Sequence, residues 1–286
     1  RVEVLRGGER PLAEGELSHA QAFVYALGNG EHGHGFFYPP RNARRRVDPE
    51  RPPPLLVWLH GGPTSMHSPA FDAGLQFWTQ RGFAVAALNY RGSSGYGRAY
   101  RQRLRGQWGR LEVRDIEAAL AQLATEGRID RDRVFVRGAS AGGYSALRAL
   151  ACLDGLRGGA SLYGVSDPLA LARCTHKFEG DYLDWLIGDP RRQRRRYLAR
   201  SPVRQAERIR APVVFFQGGL DAVVVPEQGD GHRPAAQRRA RGVPPLSAGA
   251  PRLPPAGQSR PCPAGGMALL PGPAGGLKGP AKVALQ

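Results

Sequence analysis

The segment Gly138-Ala139-Ser140-Ala141-Gly142-Gly143 sets a nucleophilic hydroxyl among very small residues. It follows an apolar, strand-like stretch at 134–136 and precedes a helix-like stretch at 144–150. A Gly-x-Ser-x-Gly turn between a strand and a helix is a nucleophile elbow, which needs small neighbours because the turn is tight and strained. The turn presents the Ser140 hydroxyl to a base and aims the next N–H, that of Ala141, at a developing oxyanion. The pattern therefore predicts nucleophilic catalysis at Ser140.

Two other motifs carry groups that such chemistry needs. His60-Gly61-Gly62-Pro63 follows an apolar run, and its glycines let backbone N–H groups approach a substrate carbonyl. Asp221 lies just after another apolar run, where a triad carboxylate orients an imidazole, although an aspartate there also suits a simple turn. His60 has two interpretations, one as a residue that orients its own loop and one as a base.

Strand and helix patterns alternate along the chain, which predicts an α/β fold with a mostly parallel, doubly wound sheet. A hairpin is expected at 21–38, with strands at 21–27 and 35–38. The further predicted strands are 55–59, 84–88, 134–136, 160–163 and 213–216, and the predicted helices include 70–80 and 113–125. His60, Ser140 and Asp221 each follow a strand, so they are expected to share one rim of the sheet.

The ordered set of motifs closely resembles the catalytic domain of the prolyl oligopeptidase family of serine peptidases, in its acylaminoacyl-peptidase and dipeptidyl-aminopeptidase branch. The resemblance covers about residues 35–228. The motifs that carry it are His60 to Pro63, Asn89 to Gly97, Gly106 to Gly109, Gly138 to Tyr144, Tyr163 to Asp167, Thr175 to Glu179, Tyr182 to Asp184 and Phe216 to Gln228.

The resemblance implies an α/β-hydrolase fold and hydrolysis of peptide or acyl-aminoacyl bonds through an acyl-enzyme on Ser140. It implies Asp221 as the triad acid and the N–H groups of Gly62 and Ala141 as the oxyanion hole. It implies no metal and no cofactor. The family also implies an N-terminal β-propeller, which this sequence does not contain, as a partner of the catalytic domain.

Several further residues have both a functional and a structural interpretation. Tyr144, Tyr163 and Trp185 are candidate walls of the pocket for the residue before the scissile bond, and core packing explains them equally well. Asp115 is expected to be a helix cap or a hydrogen-bond anchor.

The triad histidine is not identified in this sequence. The family pattern expects it roughly 30 residues after Asp221, in a His-Gly-Phe-like turn, and residues 245–260 contain no histidine. His232 has the right chain order but lies too close to Asp221, so it is a weak candidate for the base. The chain as written is therefore expected to be an impaired enzyme.

A change of reading frame after about Gln228 is the hypothesis that accounts for the missing histidine. Residues 229–286 are rich in Pro and Gly, contain no Phe, Tyr, Trp or Ile, and are expected to be disordered or out of frame. Codons for Pro251-Arg252-Leu253-Pro254, read one base later, can encode His-Gly-Phe-Arg. The predicted organisation is a partial N-terminal segment with the hairpin at 1–34, an α/β-hydrolase peptidase domain at 35–228, incomplete at its C-terminus, and the tail at 229–286.

Composition leaves other classes of protein less favoured. The formal net charge is +17, but the arginines are scattered and no aromatic–basic stacking platform is visible, so nucleic-acid binding is not expected. No apolar run reaches the ~18 residues of a membrane span, and the three cysteines lack a metal or disulfide pattern, so a cytoplasmic setting is expected. A carboxylesterase, a catalytically dead product of a damaged gene and a basic binding module stay as alternatives, and the oligomeric state is not predicted.

Overall fold

A computed structural model describes residues 12–44, 48, 51–174 and 181–218 of the chain. Within these residues, seven strands form one sheet in the order β1-β2-β4-β3-β5-β6-β7. The strands are β1 (Gln21–Gly28), β2 (Glu31–Tyr38), β3 (Leu55–Leu59), β4 (Ala84–Asn89), β5 (Val134–Ala139), β6 (Leu156–Leu162) and β7 (Val213–Phe216). Strands β4, β3, β5, β6 and β7 run parallel, while β1 and β2 add an antiparallel hairpin beside β4.

The helices connect the strands and cover both faces of the sheet. They are α1 (Ala73–Thr79), α2 (Gly97–Gln102), α3 (Leu111–Thr125), α4 (Ala141–Cys152), α5 (Pro168–Cys174), α6 (Tyr182–Leu186) and α7 (Arg194–Ala199), with short 3-10 turns at Glu14–Glu16 and Pro202–Arg208. The predicted mostly parallel, doubly wound sheet is confirmed.

The core is divided by the sheet because alternate strand residues face opposite sides. Leu55, Val57 and Leu59 of β3 pack with the apolar sides of α3 and α4 in the largest cluster. Leu56 and Trp58 of the same strand point the other way, into a second cluster with Leu75 of α1. The central strands are buried on both faces, which is why they read as continuous apolar runs.

Strand β2 is longer than the sequence predicts. It begins at Glu31 rather than Gly35, and it pairs with both β1 and β4. Gly33 and Gly35 sit beneath the rings of Tyr25 and Phe23, where a Cβ atom would overlap those rings. Glycine is depleted in strands, so the local sequence does not predict the first half of β2. The two glycines are needed there because the rings of Tyr25 and Phe23 lie against them.

Only one of the expected domain boundaries lies within the described residues. The boundary between residues 34 and 35 falls inside β2, so both strands of the hairpin belong to the same sheet as the rest of the described domain. The expected boundary between 228 and 229 lies outside the described residues, as do Asp221, His232 and the 229–286 tail.

Candidate active site

Ser140 occupies the strained turn that the sequence predicts between β5 and α4. Its backbone has φ 54° and ψ −121°, a conformation that costs a non-glycine residue about 1–3 kcal/mol. Hydrogen bonds on both sides hold it there: Ser140 N donates to Leu162 O at 2.9 Å, and Tyr144 N donates to Ser140 O at 3.1 Å. The side chain is neither fully buried nor fully exposed, so a substrate can approach its hydroxyl from the carboxyl edge of the sheet.

Steric contacts explain why the residues around Ser140 are glycines. A Cβ atom at Gly142 would overlap the carbonyl oxygen of Leu59, and one at Gly138 would overlap the backbone of Gly142. Helix α4 therefore starts in direct contact with strands β3 and β5. This close approach fixes where the first turn of the helix lies relative to the nucleophile.

Two backbone segments near Ser140 can offer N–H groups to an oxyanion. Ala141 is the first residue of α4, so its N–H has no acceptor within the helix. The His60–Pro63 loop runs alongside, because a Cβ atom at Gly61 would lie 3.7 Å from Ser140 Cβ. Gly62 has φ 112°, and a side chain there would come within 2.6 Å of Thr64 N. Gly62 is an exposed residue, and its N–H is thus on a loop whose shape only glycine permits.

His60 is buried, and both of its ring nitrogens have partners. Nδ1 lies 2.8 Å from Gly61 O and must donate to that carbonyl, which leaves Nε2 to accept from Ser93 Oγ at 2.6 Å. Burial lowers the pKa of His60 to about 3, so the ring is neutral. Of the two interpretations that the sequence left open, the geometry favours a residue that orients its loop.

The glycine-rich segment at 89–97 forms a scaffold for the His60–Pro63 loop. Tyr90 stacks on the His60 ring at 4.4 Å, and its hydroxyl donates to Pro63 O at 3.0 Å. Ser94 Oγ donates to Thr64 O at 2.6 Å. The sequence marks this segment as a motif, but the role as a support for the neighbouring loop is visible only in the structure.

The three predicted pocket walls lie in different environments. Tyr144 is fully buried, and its hydroxyl donates to Arg200 O at 3.0 Å, which favours packing over substrate contact. Tyr163 is 43% exposed at the end of β6 and has a positive φ of 40°. Trp185 is half-buried and stacks on Tyr182 at 6.0 Å.

Tyr182 is a residue of the site region that the sequence did not single out as functional. Its hydroxyl is hydrogen bonded to Thr64 Oγ1 at 2.7 Å, although the two residues are 118 positions apart. The bond ties α6 to the residue that follows Pro63. Its only signal in the sequence is the Tyr182-Leu183-Asp184 motif.

Asp115 is the buried anchor that the sequence predicts. Its carboxylate accepts from Arg91 N at 2.6 Å and from Arg91 Nε at 2.9 Å. Arg91 also contacts Glu31 at the hairpin turn. The contacts among Arg91, Asp115 and Glu31 thus link the start of the 89–97 segment to helix α3.

The part of the chain that the structure describes contains neither a metal-binding cluster nor a membrane-spanning helix. No group of three or more His, Cys, Asp or Glu side chains there could hold a metal ion. No helix in the same residues is long and apolar enough to cross a membrane. Cys152 is an exposed free cysteine.

Helices on both faces of a mostly parallel sheet, with a serine at a strained turn after a central strand, define an α/β-hydrolase fold. The family model described as the prolyl oligopeptidase family matches residues 69–244, and the chain belongs to this family of serine peptidases. The match extends past Gln228, where the sequence analysis expects the resemblance to stop.

Individual relatives agree with this membership. The chain is 30% identical over 199 residues to dipeptidyl aminopeptidase BIII of Pseudoxanthomonas mexicana, covering 67% of this chain and 29% of that protein. It is 28% identical over 178 residues to an acylamino-acid-releasing enzyme of Arabidopsis thaliana, covering 59% and 23%. The structure of a puromycin-hydrolyzing peptidase of Mycobacterium tuberculosis superposes with a TM-score of 0.77 and 40% identity, covering 81% and 36%. The chain thus spans about a third or less of the length of these relatives.

Proposed function

We propose that this chain is the catalytic domain of a serine peptidase that hydrolyses peptide or acyl-aminoacyl bonds through an acyl-enzyme on Ser140. The observation that carries the proposal is the backbone of Ser140, with φ 54° and ψ −121° between a strand and a helix. A serine is held in such a strained conformation only where the surrounding structure imposes it, and nucleophile elbows do so.

In the proposed reaction, Ser140 Oγ attacks the carbonyl carbon while a histidine takes the hydroxyl proton. The carbonyl oxygen becomes an oxyanion that accepts hydrogen bonds from the N–H groups of Ala141 and Gly62. The histidine then gives its proton to the leaving amine, and the ester on Ser140 remains. Water, deprotonated by the same histidine, attacks that ester and releases the acid.

Asp221 is proposed to orient the histidine, and no described residue fills the role of that histidine. Within 12–44, 48, 51–174 and 181–218, no hydrogen bond joins the Ser140 hydroxyl to a histidine. Loss of one triad member costs up to about a million-fold in turnover, while the oxyanion hole and binding leave roughly 10³–10⁴-fold over water. We therefore propose that the chain as written is impaired.

A change of reading frame after about Gln228 is the proposed origin of this loss. The nucleotide sequence across codons 217–286 tests it directly. A His-Gly-Phe reading in a shifted frame supports the hypothesis, and its absence from both shifted frames removes it.

The substrate class follows from the relatives' names and remains part of the proposal. Two relatives are named as a dipeptidyl aminopeptidase and an acylamino-acid-releasing enzyme, which supports a peptide or acylated peptide as the substrate here. Because these relatives are much longer than this chain, a β-propeller that screens substrates is proposed as the missing partner. A cytoplasmic setting is proposed from the sparse cysteines alone.

Labelling with a fluorophosphonate probe tests the nucleophile. The full chain should be labelled slowly, and labelling should vanish in Ser140→Ala. Ser65→Ala is the matched control, since Ser65 is an exposed serine on the neighbouring loop. Labelling that survives in Ser140→Ala, or no labelling of the unaltered chain, contradicts the proposal.

Turnover of aminoacyl-anilides against simple acyl esters tests the bond that is cleaved. A peptidase should hydrolyse both, and activity confined to esters would favour the carboxylesterase alternative.

A further inference from the structure

Glu112 is a buried acid that the proposed reaction does not use. It lies in the first turn of α3 with its residue fully inaccessible to solvent. Its two carboxyl oxygens lie 3.0 and 2.9 Å from Gly109 N, which can donate one hydrogen bond to them. The carboxyl group also accepts a hydrogen bond from the backbone N–H of Glu112 itself.

Ser145 of helix α4 lies between the Glu112 carboxyl group and the first residue of that helix. Its Oγ lies 3.5 Å from Glu112 Oε1 and 3.1 Å from the carbonyl oxygen of Ala141. Ser145 is itself fully buried. Glu112, Ser145 and Ala141 thus form a line of polar groups that ends on the residue next to the nucleophile.

The number of available protons decides whether ionised or neutral Glu112 can hydrogen bond to Ser145 while Ser145 donates to Ala141 O. Ser145 has one hydroxyl proton, and both of its neighbours in the line are acceptors when Glu112 is ionised. Only one of the two can then receive that proton. A neutral Glu112 carries the second proton that the line needs.

We propose that Glu112 is a positioning residue that acts in its neutral form, donating its carboxyl proton to Ser145, which donates to Ala141 O and holds the first turn of α4. The Ala141 N–H, the proposed oxyanion donor, opens the helical turn that Ala141 O closes by this hydrogen bond, so the line positions that turn. This inference rests on the proposed function of Ser140 and Ala141.

The charged groups around Glu112 agree with a neutral carboxyl. Burial is the largest influence and raises the pKa of Glu112 to about 7, although the hydrogen bonds from the N–H groups of Gly109 and Glu112 lower it. The negative charge of Asp115 acts in the same direction as burial. Arg200, which donates to Gly106 O and Trp108 O, opposes them.

The remaining neighbours do not neutralise an ionised Glu112. Arg148 donates to Gly109 O and to Gln205 Oε1, so its hydrogen bonds go elsewhere. Burial raises the pKa values of the Tyr144 and Tyr90 hydroxyls, and the charge of Glu112 acts in the same direction, so both stay protonated.

The backbone amide of Ala141 reports the proposed coupling without any need for catalysis. The full chain is labelled with [15N]alanine, and the Ala141 amide resonance is followed from pH 5.5 to 8.5. In the unaltered protein the resonance should move with a midpoint near that of Glu112, about 7. In Glu112→Gln it should stay at its low-pH position, since the glutamine amide can accept from Gly109 and donate to Ser145 but cannot titrate.

Ser145→Ala separates coupling through the line from a general effect of charge. In this variant the carboxyl still titrates, but the Ala141 resonance should no longer follow it. A resonance that does not move in the unaltered protein, or that moves equally in Ser145→Ala or in Glu112→Gln, overturns the proposal. If Glu112→Gln does not fold, the comparison of Ser145→Ala with the unaltered protein decides the matter alone.

Fluorophosphonate labelling keeps this inference distinct from the proposed function. If Ser140 is labelled, the rate for Glu112→Gln relative to the unaltered chain should rise severalfold from pH 6 to pH 8.5. A flat ratio contradicts the positioning role. Absence of labelling in every variant contradicts the proposed function, whereas the amide titration still reports on the line itself.

Discussion

Two histidines beside the proposed oxyanion loop, His60 buried and His67 half-buried, lack charge in the folded protein. His67 lies at 5.4 Å from His60, ring to ring, and its Nε2 donates to Trp58 O at 3.1 Å. Burial lowers the pKa of His67 to about 4, as it lowers that of His60 to about 3. Both values lie below the unfolded value of 6.5, so the folded state loses stability when pH falls below 6.5.

The unfolding free energy should therefore fall with decreasing pH between 6.5 and about 4. Each of the two histidines contributes a slope of about 1.4 kcal/mol per pH unit. His67→Gln should remove one such contribution, measured by urea unfolding at several pH values. An equal slope in His67→Gln and the unaltered chain would contradict the argument.

The contribution of Glu112 to stability changes with pH in the opposite direction. Its folded pKa of about 7 is above the unfolded value of 4.5, so its contribution to stability is present at low pH and is lost as pH rises from 4.5 to 7. Glu112→Gln should flatten this loss in the same urea experiments. A steeper loss of stability in the variant than in the unaltered chain would rule out a carboxyl that is neutral in the folded state.

The close approach of Gly142 to the backbone of Leu59 leaves no room for a side chain at position 142. Gly142→Ala should lower the unfolding free energy by about 1–3 kcal/mol, because the added methyl group must displace the backbone of β3 or α4. Gly15→Ala has room for the methyl group, with Ala43 Cβ at 3.8 Å, and should change stability by less than about 0.5 kcal/mol. Equal effects in urea unfolding would contradict the steric explanation.

At the scale of elements, the loop after β3 is held by a loop from β4 and by helix α6. The hydrogen bond between Tyr182 and Thr64 is the link to α6. Tyr182→Phe should slow labelling of Ser140 by about 2–10-fold, since a net hydrogen bond is worth about 0.5–1.5 kcal/mol.

Tyr197→Phe is the matched control for that link. The Tyr197 hydroxyl contacts Gly188 O at 2.9 Å and Leu183 O of α6 at 3.3 Å but makes no hydrogen bond to Thr64, so its loss should affect stability rather than labelling. A larger loss of labelling in Tyr197→Phe than in Tyr182→Phe would contradict the role of Tyr182.

The sequence predicts those elements whose hydrophobic pattern is local. Strand β7 has the predicted bounds, and β3 does also, since both read as unbroken apolar runs. Helices α2, α5, α6 and α7 were not predicted, because at five to seven residues they are too short to show a helical period.

The same distinction applies to the site. Ser140, Ala141 and Gly62 follow from motifs in which each residue is constrained by its immediate neighbours. The Glu112–Ser145 and Tyr182–Thr64 contacts join segments that meet only in the folded chain. No local pattern encodes such pairs.

At the scale of the whole molecule, the β1–β2 hairpin is part of the catalytic sheet rather than a separate segment. Tyr25 and Phe37 of the hairpin belong to the largest core cluster, together with residues of α3. The described domain therefore extends to the hairpin, and the relatives' additional length lies beyond the segment matched here.

Deletion of residues 1–34 should consequently abolish cooperative folding, because it removes β1, half of β2 and the core residues Phe23 and Tyr25. Deletion of residues 1–11 removes none of the described elements and is the control. Thermal unfolding followed by circular dichroism compares the two. A cooperative transition in the 1–34 deletion at the temperature of the full chain would contradict the single sheet.

Part of the positive charge has structural uses. Arg91, Arg148 and Arg200 make buried hydrogen bonds to carboxylate or carbonyl oxygens. The net charge of +17 is therefore not all surface charge. The hydrolase account depends instead on one hydroxyl.

The most direct test is to find which residue carries a covalent adduct. The full chain is treated with a fluorophosphonate, digested and mapped by mass spectrometry. The account predicts the adduct on Ser140, within the peptide that spans the β5–α4 turn. An adduct on any other serine, with Ser140 unmodified, would contradict it.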